Sequence, residues 1–371
     1  MSSDHVQAVE RVAAVAAEHA DQTDSGAFPA AALALMAETG LMGLVSAKDV
    51  GGMGLGLPEA AYVVERFARE CGSTAMVACM HYAATAVLEA HGSRDVRAAI
   101  ATGKHLATLA FSEPGSRSQF WASLCTATHQ GNQVQLNGRK SFATSAHHAD
   151  VYVWSTKPIA GSELTTLWLV PRGTQGVRVD SNFDGLGLRG NDSAPITAEN
   201  ALVPLSARVG EDGQGFAIMM NMVLPWFNVM SCAVSAGLME TLTQRTAAHA
   251  AGAAFEHDGQ KLADLPTIRA FIARMRCETD MIHALLADTI AAIQDDRTDA
   301  TLRVLESKAA SGESASEVAD IAMRVCGGSA FRKDVGVERV YRDARAALVM
   351  GPTTDMLYDF IGKVACGMPM F

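Results

Sequence analysis

The sequence has few features of a secreted, membrane-spanning or zinc-binding protein. Its seven cysteines are scattered, odd in number and never spaced as CxxC, so neither a disulfide framework nor a zinc site is predicted. The opening segment MSSDHVQAVERV has no basic stretch followed by an apolar one, and Glu38, Thr39 and Gly40 interrupt the apolar run from Ala30 to Val45. We therefore expect a cytoplasmic chain with reduced thiols and no membrane span.

Positive charge is also scarce. The chain has 30 Lys and Arg against 40 Asp and Glu, a formal net charge of −10. A field of this sign repels polyphosphates and anionic lipid, so nucleic acid is not an expected partner. An anionic small molecule would need a local cationic site.

What is present is a long chain with three regions of different character. With 371 residues, 49% of them apolar, it can bury a large core and form two or three domains. Periodicity predicts an N-terminal helical domain over 1–105, a β domain of six to eight strands over 106–209 and a C-terminal helical bundle over 210–371. Within the β domain, the pair Asn137 and Gly138 predicts a hairpin turn. The glycines of 51–56 have no GK[ST] and no preceding strand, which argues against a phosphate loop.

Six short motifs occur in register with this order. They are AFSEPGSRS at 110–118, LNGRKSFAT at 136–144, GLGLRGND at 185–192, GQGF at 213–216, CGG at 326–328 and VERVYRDAR at 337–345. They resemble the TEPG, LNG.K.WIT, LGMRGSDT, G.GF, GG and VER..RDAR motifs of the acyl-CoA dehydrogenase superfamily, and the resemblance spans essentially the whole chain. It implies an α+β protein of the acyl-CoA dehydrogenase fold: an N-terminal helical domain, a central β-barrel-like domain and a C-terminal four-helix bundle.

The same resemblance implies FAD as the cofactor, lying between the β domain and the bundle and completed by a second subunit of a homodimer or homotetramer. Phe142 stands where the family has a tryptophan that packs against the flavin ring. The positions that match the family's flavin-binding residues are Ser112, Ser118, Phe142, Thr144, Gly327, Gly328 and Thr353. A flat aromatic surface with a few hydroxyl donors suits a flavin.

One family cation is missing and another has appeared. Gly252 replaces an arginine that reaches the partner's diphosphate, whereas Arg324 replaces a glutamine. We expect Arg324 to substitute for the missing guanidinium, because a planar fork suits a diphosphate; a surface arginine is the competing interpretation.

The catalytic carboxylate of the family is also missing. Family members remove the substrate's α-proton with a glutamate that follows the RDAR motif, and Gly351 occupies that position. Relatives that move the base place it in the first long helix of the bundle, where this chain has Trp226, followed by Phe227 in place of a CoA-contacting arginine. Because a positioned base contributes roughly 10²–10⁴-fold, ordinary dehydrogenation is not expected. Pro225 predicts a kink or a late helix start.

Three side chains are candidates for other chemistry. His81 and Tyr82 lie where oxygen-using members of the superfamily place residues that assist the flavin, and Trp226 could stack on a planar substrate; the alternative is that all three are core residues. The leading interpretation is a FAD-dependent oxidoreductase with monooxygenase-type chemistry on an aromatic or acyl-thioester small molecule, supplied with electrons by a flavin reductase or electron-transfer protein. The alternatives are an acyl-CoA dehydrogenase or desulfinase-like enzyme with another base, and a non-catalytic subunit of a mixed tetramer.

Overall fold

The computed structural model describes residues 1–161 and 165–370. Helices fill the chain up to residue 101: α1 (Ser3–Glu18), α2 (Ala20–Asp24), α3 (Ala30–Glu38), α4 (Leu57–Ala68), α5 (Gly72–His91) and α6 (Arg94–Ala101). Gly40 turns the chain just after α3, since this residue adopts φ 78°, a conformation that glycine reaches without steric cost. Pro58 lies in the first turn of α4, where no backbone donor is lost.

Eight strands follow within the described residues, and they form two four-stranded sheets. They are β1 (Ala107–Ala110), β2 (Thr126–Gln130), β3 (Gln133–Ala143), β4 (Val151–Thr156), β5 (Thr166–Pro171), β6 (Val177–Val179), β7 (Ala194–Pro204) and β8 (Arg208–Val209). The strand orders are β1-β4-β5-β8 and β2-β3-β7-β6, and only the β1–β4 pair is parallel. All six residues of β4 are buried, which makes this strand the centre of the β domain.

The predicted turn at Asn137 and Gly138 is wrong. β3 runs through both residues, and its pairing with β7 shifts register between Leu136 and Gly138. A Cβ at Gly138 would lie only 2.1 Å from the Sγ atom of Cys125, so this glycine allows β3 to pass close to that side chain. The Asn-Gly pair therefore serves a bulge in a continuous strand.

The C-terminal region is helical: α7 (Gly215–Ile218), α8 (Leu224–Gly252), α9 (Pro266–Gln294), α10 (Ala300–Cys326), α11 (Val337–Ala344), α12 (Ala346–Val349) and α13 (Thr354–Ala365). A π-helical turn over Met219–Val223 joins α7 to α8, so the helix neither stops nor starts late at Pro225; the missing donor is accommodated by one wider turn. The combined helix Gly215–Gly252 is long and apolar enough to cross a membrane by length and composition alone. Here it is the core helix of the bundle, because it packs against α4, α5, α9 and α10.

A buried ion pair ties the β domain together behind its first turn. The Nζ atom of Lys140 lies 2.5 Å from Oε1 of Glu113, and it also donates to the carbonyl and hydroxyl oxygens of Ser155 at 2.7 Å each. The second carboxylate oxygen of Glu113 accepts from the amides of Leu124 (2.5 Å) and Cys125 (3.0 Å). Each side chain is 1% exposed, so these contacts, together with the Trp154 ring 5.0 Å from Lys140 Nζ, compensate the buried charges.

Removing one partner of this pair should strongly destabilise the protein. We expect Lys140→Met to lower the free energy of unfolding by about 3–5 kcal/mol, because it leaves a buried carboxylate without its cation. Urea denaturation provides the measurement. Lys363→Met is the matched control, since Lys363 is only half-buried, its partner Asp359 is exposed, and the pair should contribute less than about 1 kcal/mol. Equal losses in the two variants would contradict the role of the pair.

Candidate active site

A cavity of about 830 Å³ lies where the β domain meets α5, the start of α8 and the segment after α11. Its volume falls within the range of roughly 300–1,000 Å³ typical of small-molecule sites. Six of the residues singled out in the sequence line it: Ser112, Ser118, Phe142, Thr144, Gly351 and Thr353. The structure thus brings together residues that are up to 241 positions apart in the chain (from 112 to 353).

The ends of two strands position the polar groups of this cavity. Ser112 follows β1, and its carbonyl oxygen accepts from the amide of Ser141 near the end of β3 (2.8 Å). Thr144 directly follows β3 and is 7% exposed. In the described part of the chain, neither the Ser112 nor the Thr144 hydroxyl has a hydrogen-bond partner, so both are available to a ligand in the cavity.

The same wall of the cavity carries an exposed aromatic surface. Phe142 is 64% exposed and Phe183 is 42% exposed, and their ring centroids are 4.8 Å apart. Large apolar side chains are left uncovered in this way where a ligand or partner covers them. A flat ring over Phe142, with the Ser112 and Thr144 hydroxyls at hand, is the arrangement that an isoalloxazine requires, so these residues fit the expected FAD.

Gly351 lines the cavity and leaves space there. A Cβ atom built on it would meet Ser118 Oγ at 3.6 Å and Ser118 Cα at 3.8 Å, which are ordinary van der Waals distances. The loop of residues 350–353, which contains Gly351, is hydrogen-bonded to the β domain, because the amide of Thr353 donates to Ser118 Oγ at 2.9 Å. A Cβ atom at residue 351 would therefore meet no clash, and crowding does not require glycine there.

No free carboxylate faces the cavity from the described residues. Among those that line it, Glu113 is the only acid, and both of its oxygens are held by Lys140 and by backbone amides. Asp355 and Asp359, the first acids after Gly351, are exposed on α13 outside the lining. The described residues therefore offer no free carboxylate that could remove a proton from a substrate in the cavity.

A buried lysine that no sequence motif indicates lies behind the Gly351 loop. Lys308 on α10 is 1% exposed, and its Nζ atom donates to the carbonyls of Met350 (3.0 Å) and Pro352 (2.7 Å). Within the described ranges no carboxylate forms an ion pair with it, and burial lowers its pKa to about 7. Lys308 thus braces the two carbonyl groups on either side of Gly351. A lysine within a long helix is ordinarily exposed to solvent, so only the fold reveals this contact.

His81 and Tyr82 are not where a catalytic role would need them. Both are fully buried, and neither lines the cavity. The Nε2 atom of His81 lies 2.9 Å from the Met42 carbonyl, its Nδ1 accepts from the Ala107 amide at 3.2 Å, and the Tyr82 hydroxyl donates to the Leu41 carbonyl at 2.8 Å. Burial lowers the pKa of His81 to about 4, so the ring stays neutral. The two side chains tie α5 to the 41–42 segment and to β1, and they do not enter the function proposed below.

Trp226 is also outside the cavity lining. It is partly buried and packs against the hydrophobic core, whereas its neighbour Phe227 lines the cavity together with Val223 and Leu224. The start of α8 therefore presents apolar side chains, and no acid, at the second position where relatives hold a base. Stacking of a substrate, if it occurs at this helix, involves Phe227.

The three remaining residues lie at the end of α10, away from the cavity. Arg324 is exposed and its Cζ atom lies 4.5 Å from the centroid of the Phe271 ring. Gly327 and Gly328 are exposed, and no atom lies within 4 Å of a Cβ built on either. In this chain they contact no part of the cavity, so their binding role requires another subunit and stays a prediction.

The chain is similar to known proteins along most of its length. Models of three acyl-CoA dehydrogenase domains match the chain: the N-terminal domain over residues 3–103, the middle domain over 108–201 and the C-terminal domain over 213–366. The probable acyl-CoA dehydrogenase YngJ of Bacillus subtilis is 28% identical over 341 residues, covering 89% of this chain and 87% of that protein. The L-prolyl-[peptidyl-carrier protein] dehydrogenase of Pseudomonas fluorescens is 28% identical over 365 residues, covering 95% and 93%.

Solved structures share the fold at lower identity. Butyryl-CoA dehydrogenase from Megasphaera elsdenii superposes with a TM-score of 0.91 at 18% identity, covering 99% of each chain. A structure described as PigA with FAD and proline superposes with a TM-score of 0.88 at 22% identity, covering 99% of this chain and 98% of the other. The α+β architecture expected from the motifs is thereby confirmed.

The burial of Lys308 predicts a pH dependence of stability. In the unfolded chain this lysine keeps its proton up to its ordinary pKa of 10.5, whereas in the folded chain it loses it near 7. The unfolded state therefore binds more protons between these values, and the free energy of unfolding should rise with pH across that window, by up to ~1.4 kcal/mol per pH unit. Urea denaturation at several pH values between 6.5 and 9.5 measures the slope.

Lys308→Met should flatten this rise, since methionine keeps most of the volume and has no titratable group. Lys104→Met, at an exposed position, should leave the slope of the wild type. A slope in Lys308→Met equal to that of the wild type would show that another group titrates.

Proposed function

The chain belongs to the acyl-CoA dehydrogenase family of FAD-dependent oxidoreductases, and from this premise we propose that it catalyses a flavin-dependent monooxygenation in place of α,β-dehydrogenation. The observation that carries the proposal is the cavity around Gly351, which has no free carboxylate among the described lining residues. Without a base, loss of an α-proton together with a hydride is slower by roughly 10²–10⁴-fold. A reaction that needs no such proton transfer is compatible with the same cavity.

The substrate that this cavity favours is an apolar one, either an aromatic compound or an acyl thioester. Met76, Met80, Phe111, Phe120 and Phe227 all contribute to its lining. Aromatic and thioether side chains exclude water and pack against flat or unbranched apolar groups. Phe227 offers a ring to a substrate where relatives have a cation for CoA, which supports the aromatic class.

FAD would be held by Ser112, Phe142 and Thr144, and when bound it supplies the two-electron chemistry and the reaction with dioxygen. In the overall balance, one atom of dioxygen enters the substrate and the other leaves as water, with two electrons from a flavin reductase or another reduced donor and two protons from solvent. The chain contributes orientation of the substrate, exclusion of water by the apolar lining, and hydroxyl donors that fix the cofactor. Lys308 and Ser118 hold the loop of residues 350–353, which lines the cavity.

Oxygen-isotope labelling tests the reaction directly. The FAD-loaded protein is reduced anaerobically, mixed with ¹⁸O₂ and a panel of aromatic and acyl-thioester compounds, and the products are examined by mass spectrometry. We expect one labelled oxygen atom in the product of at least one compound, and none with free reduced FAD under the same conditions. Rapid reoxidation that yields only labelled peroxide or water with every compound would sink the monooxygenase proposal.

A second candidate is oxidation of an acyl thioester, which the names of the relatives favour because they are dehydrogenases of CoA or carrier-protein thioesters. It requires a base other than residue 351. The non-catalytic subunit remains the third candidate, and a purified protein that stays colourless with added FAD would favour it.

Gly351→Glu distinguishes the candidates, because a Cβ at residue 351 meets no clash and the residue lines a cavity of about 830 Å³. With an acyl-CoA panel under anaerobic conditions, the variant should bleach the flavin at least ~100-fold faster than the wild type, since it restores a proton acceptor. Gly351→Gln is the matched control, having similar volume and no basicity. If the wild type already bleaches as rapidly as Gly351→Glu, a base at another position exists and the second candidate replaces the first.

A further inference from the structure

Among the described residues that line the cavity, one cation has no carboxylate partner, and it belongs to the exposed side chain of Arg117. Four arginines line it, and for three of them the structure shows a carboxylate partner. These pairs are Arg189 with Asp184 (3.0 Å), Arg342 with Asp24 (2.6 Å) and Glu338 (2.7 Å), and Arg345 with Asp320. Arg117 forms no ion pair or hydrogen bond through its side chain within residues 1–161 and 165–370. An anionic ligand of this acidic chain can therefore find an uncompensated charge at Arg117.

The backbone of the same residue is in a conformation that disfavours it. Arg117 has φ 44° and Ser118 has φ 74°, two successive non-glycine residues in the left-handed region. A side chain with a Cβ is less stable there than glycine, because the Cβ crowds the backbone carbonyl. An arginine at such a position is costly for the fold, and such outliers cluster at ligand sites.

Other anion-binding groups surround this turn. In the described chain the amides of Arg117 and Ser118 have no hydrogen-bond partner, and successive free amides in a turn form a concave site for anions. Ser118 also contacts the start of the twelve-residue helix α13, since its Oγ accepts from the amide of Thr353. The N-terminal end of a helix carries a partial positive charge. Arg117, Ser118 and Thr353, the residue that precedes α13, all line the same cavity.

We propose that Arg117 is a diphosphate-binding residue, whose guanidinium neutralises the diphosphate of the FAD that the same cavity holds. The inference rests on the FAD dependence in the proposed function, but not on the monooxygenase reaction. Within one chain, Arg117 thus has the diphosphate-binding role that the sequence predicted for Arg324. The Arg324 side chain stacks on Phe271, outside the cavity. FAD is favoured over CoA, the other diphosphate, because the turn of Arg117 begins at Ser112, beside the aromatic surface of Phe142.

Arg117→Gly tests the proposal without turnover. The dissociation constant of FAD, measured by quenching of flavin fluorescence, should rise about 10- to 100-fold, the loss expected for one charge-assisted contact. Riboflavin, which has no phosphate, should bind the variant as it binds the wild type. The melting temperature of the FAD-free protein should rise by about 2 °C, because glycine relieves the left-handed strain. A residue with only a structural role would not weaken FAD binding while it stabilises the protein.

Two further variants complete the experiment. Arg117→Lys keeps the charge, so its affinity for FAD should fall less than that of Arg117→Gly. The affinity of Arg117→Lys for FAD should fall further at high KCl, because salt screens the charge. Asp296→Gly is the matched control for strain: it has φ 48°, is exposed after α9 and lies outside the cavity lining, so FAD affinity should not change.

Three results would overturn the proposal. An unchanged FAD affinity in Arg117→Gly would do so, and so would an equal loss for riboflavin, which would indicate collapse of the turn. Unchanged FAD binding with weakened binding of CoA to the FAD-loaded protein would assign the diphosphate to CoA. A protein that binds FAD through Arg117 but incorporates no labelled oxygen would sink the monooxygenase proposal alone.

Discussion

The ion pair between Glu113 and Lys140 is the constraint on which the rest of the site depends. Both charges are buried, and together they bind the turn after β1, the amides at 124–125, and the residues of β3 and β4. Ser112 precedes Glu113 in this turn and Arg117 follows it, so the pair fixes where cofactor-binding groups leave the β domain. Because one carboxylate satisfies a lysine and two amides at once, the turn has one arrangement in which its buried polar groups are all bonded.

Much of the cavity could be predicted because the short motifs report backbone geometry as well as chemistry. Ser112, Phe142 and Thr144 lie at strand ends, and Gly351 and Thr353 lie in a loop, and the structure gathers all five in one lining. The helix α5 shows where sequence reasoning fails. Nearly every residue from 72 to 88 is buried, so periodicity could not indicate which face meets the cavity. Met76 and Met80, four residues apart on one face, line it, whereas His81 and Tyr82 point elsewhere on the same helix.

Lys308 and the Asn137–Gly138 bulge were missed for a different reason. A lysine in a helix and an Asn-Gly pair between apolar runs both have common interpretations, a solvated position and a hairpin turn, and local sequence favours these. Tertiary contacts decide against them here: the carbonyls of Met350 and Pro352 hold the lysine, and Cys125 packs where a side chain at residue 138 would stand. The glycine at residue 351, by contrast, could be read directly from the sequence, and the loss of a base there stays a prediction from a single residue in a well-marked motif. The space around Gly351 could not be predicted from the sequence.

The exposed apolar wall of the cavity affects how long the chain survives in the cell before it binds a cofactor. Phe142, Leu186 and Val349 are 64%, 63% and 73% exposed, and all three line the cavity. Exposed apolar surface of this kind binds chaperones, proteases and other newly made chains. The supply of flavin in the cell would then determine how much of this protein survives, as well as how much of it carries the cofactor. A shortage of flavin would appear first as a low amount of the protein.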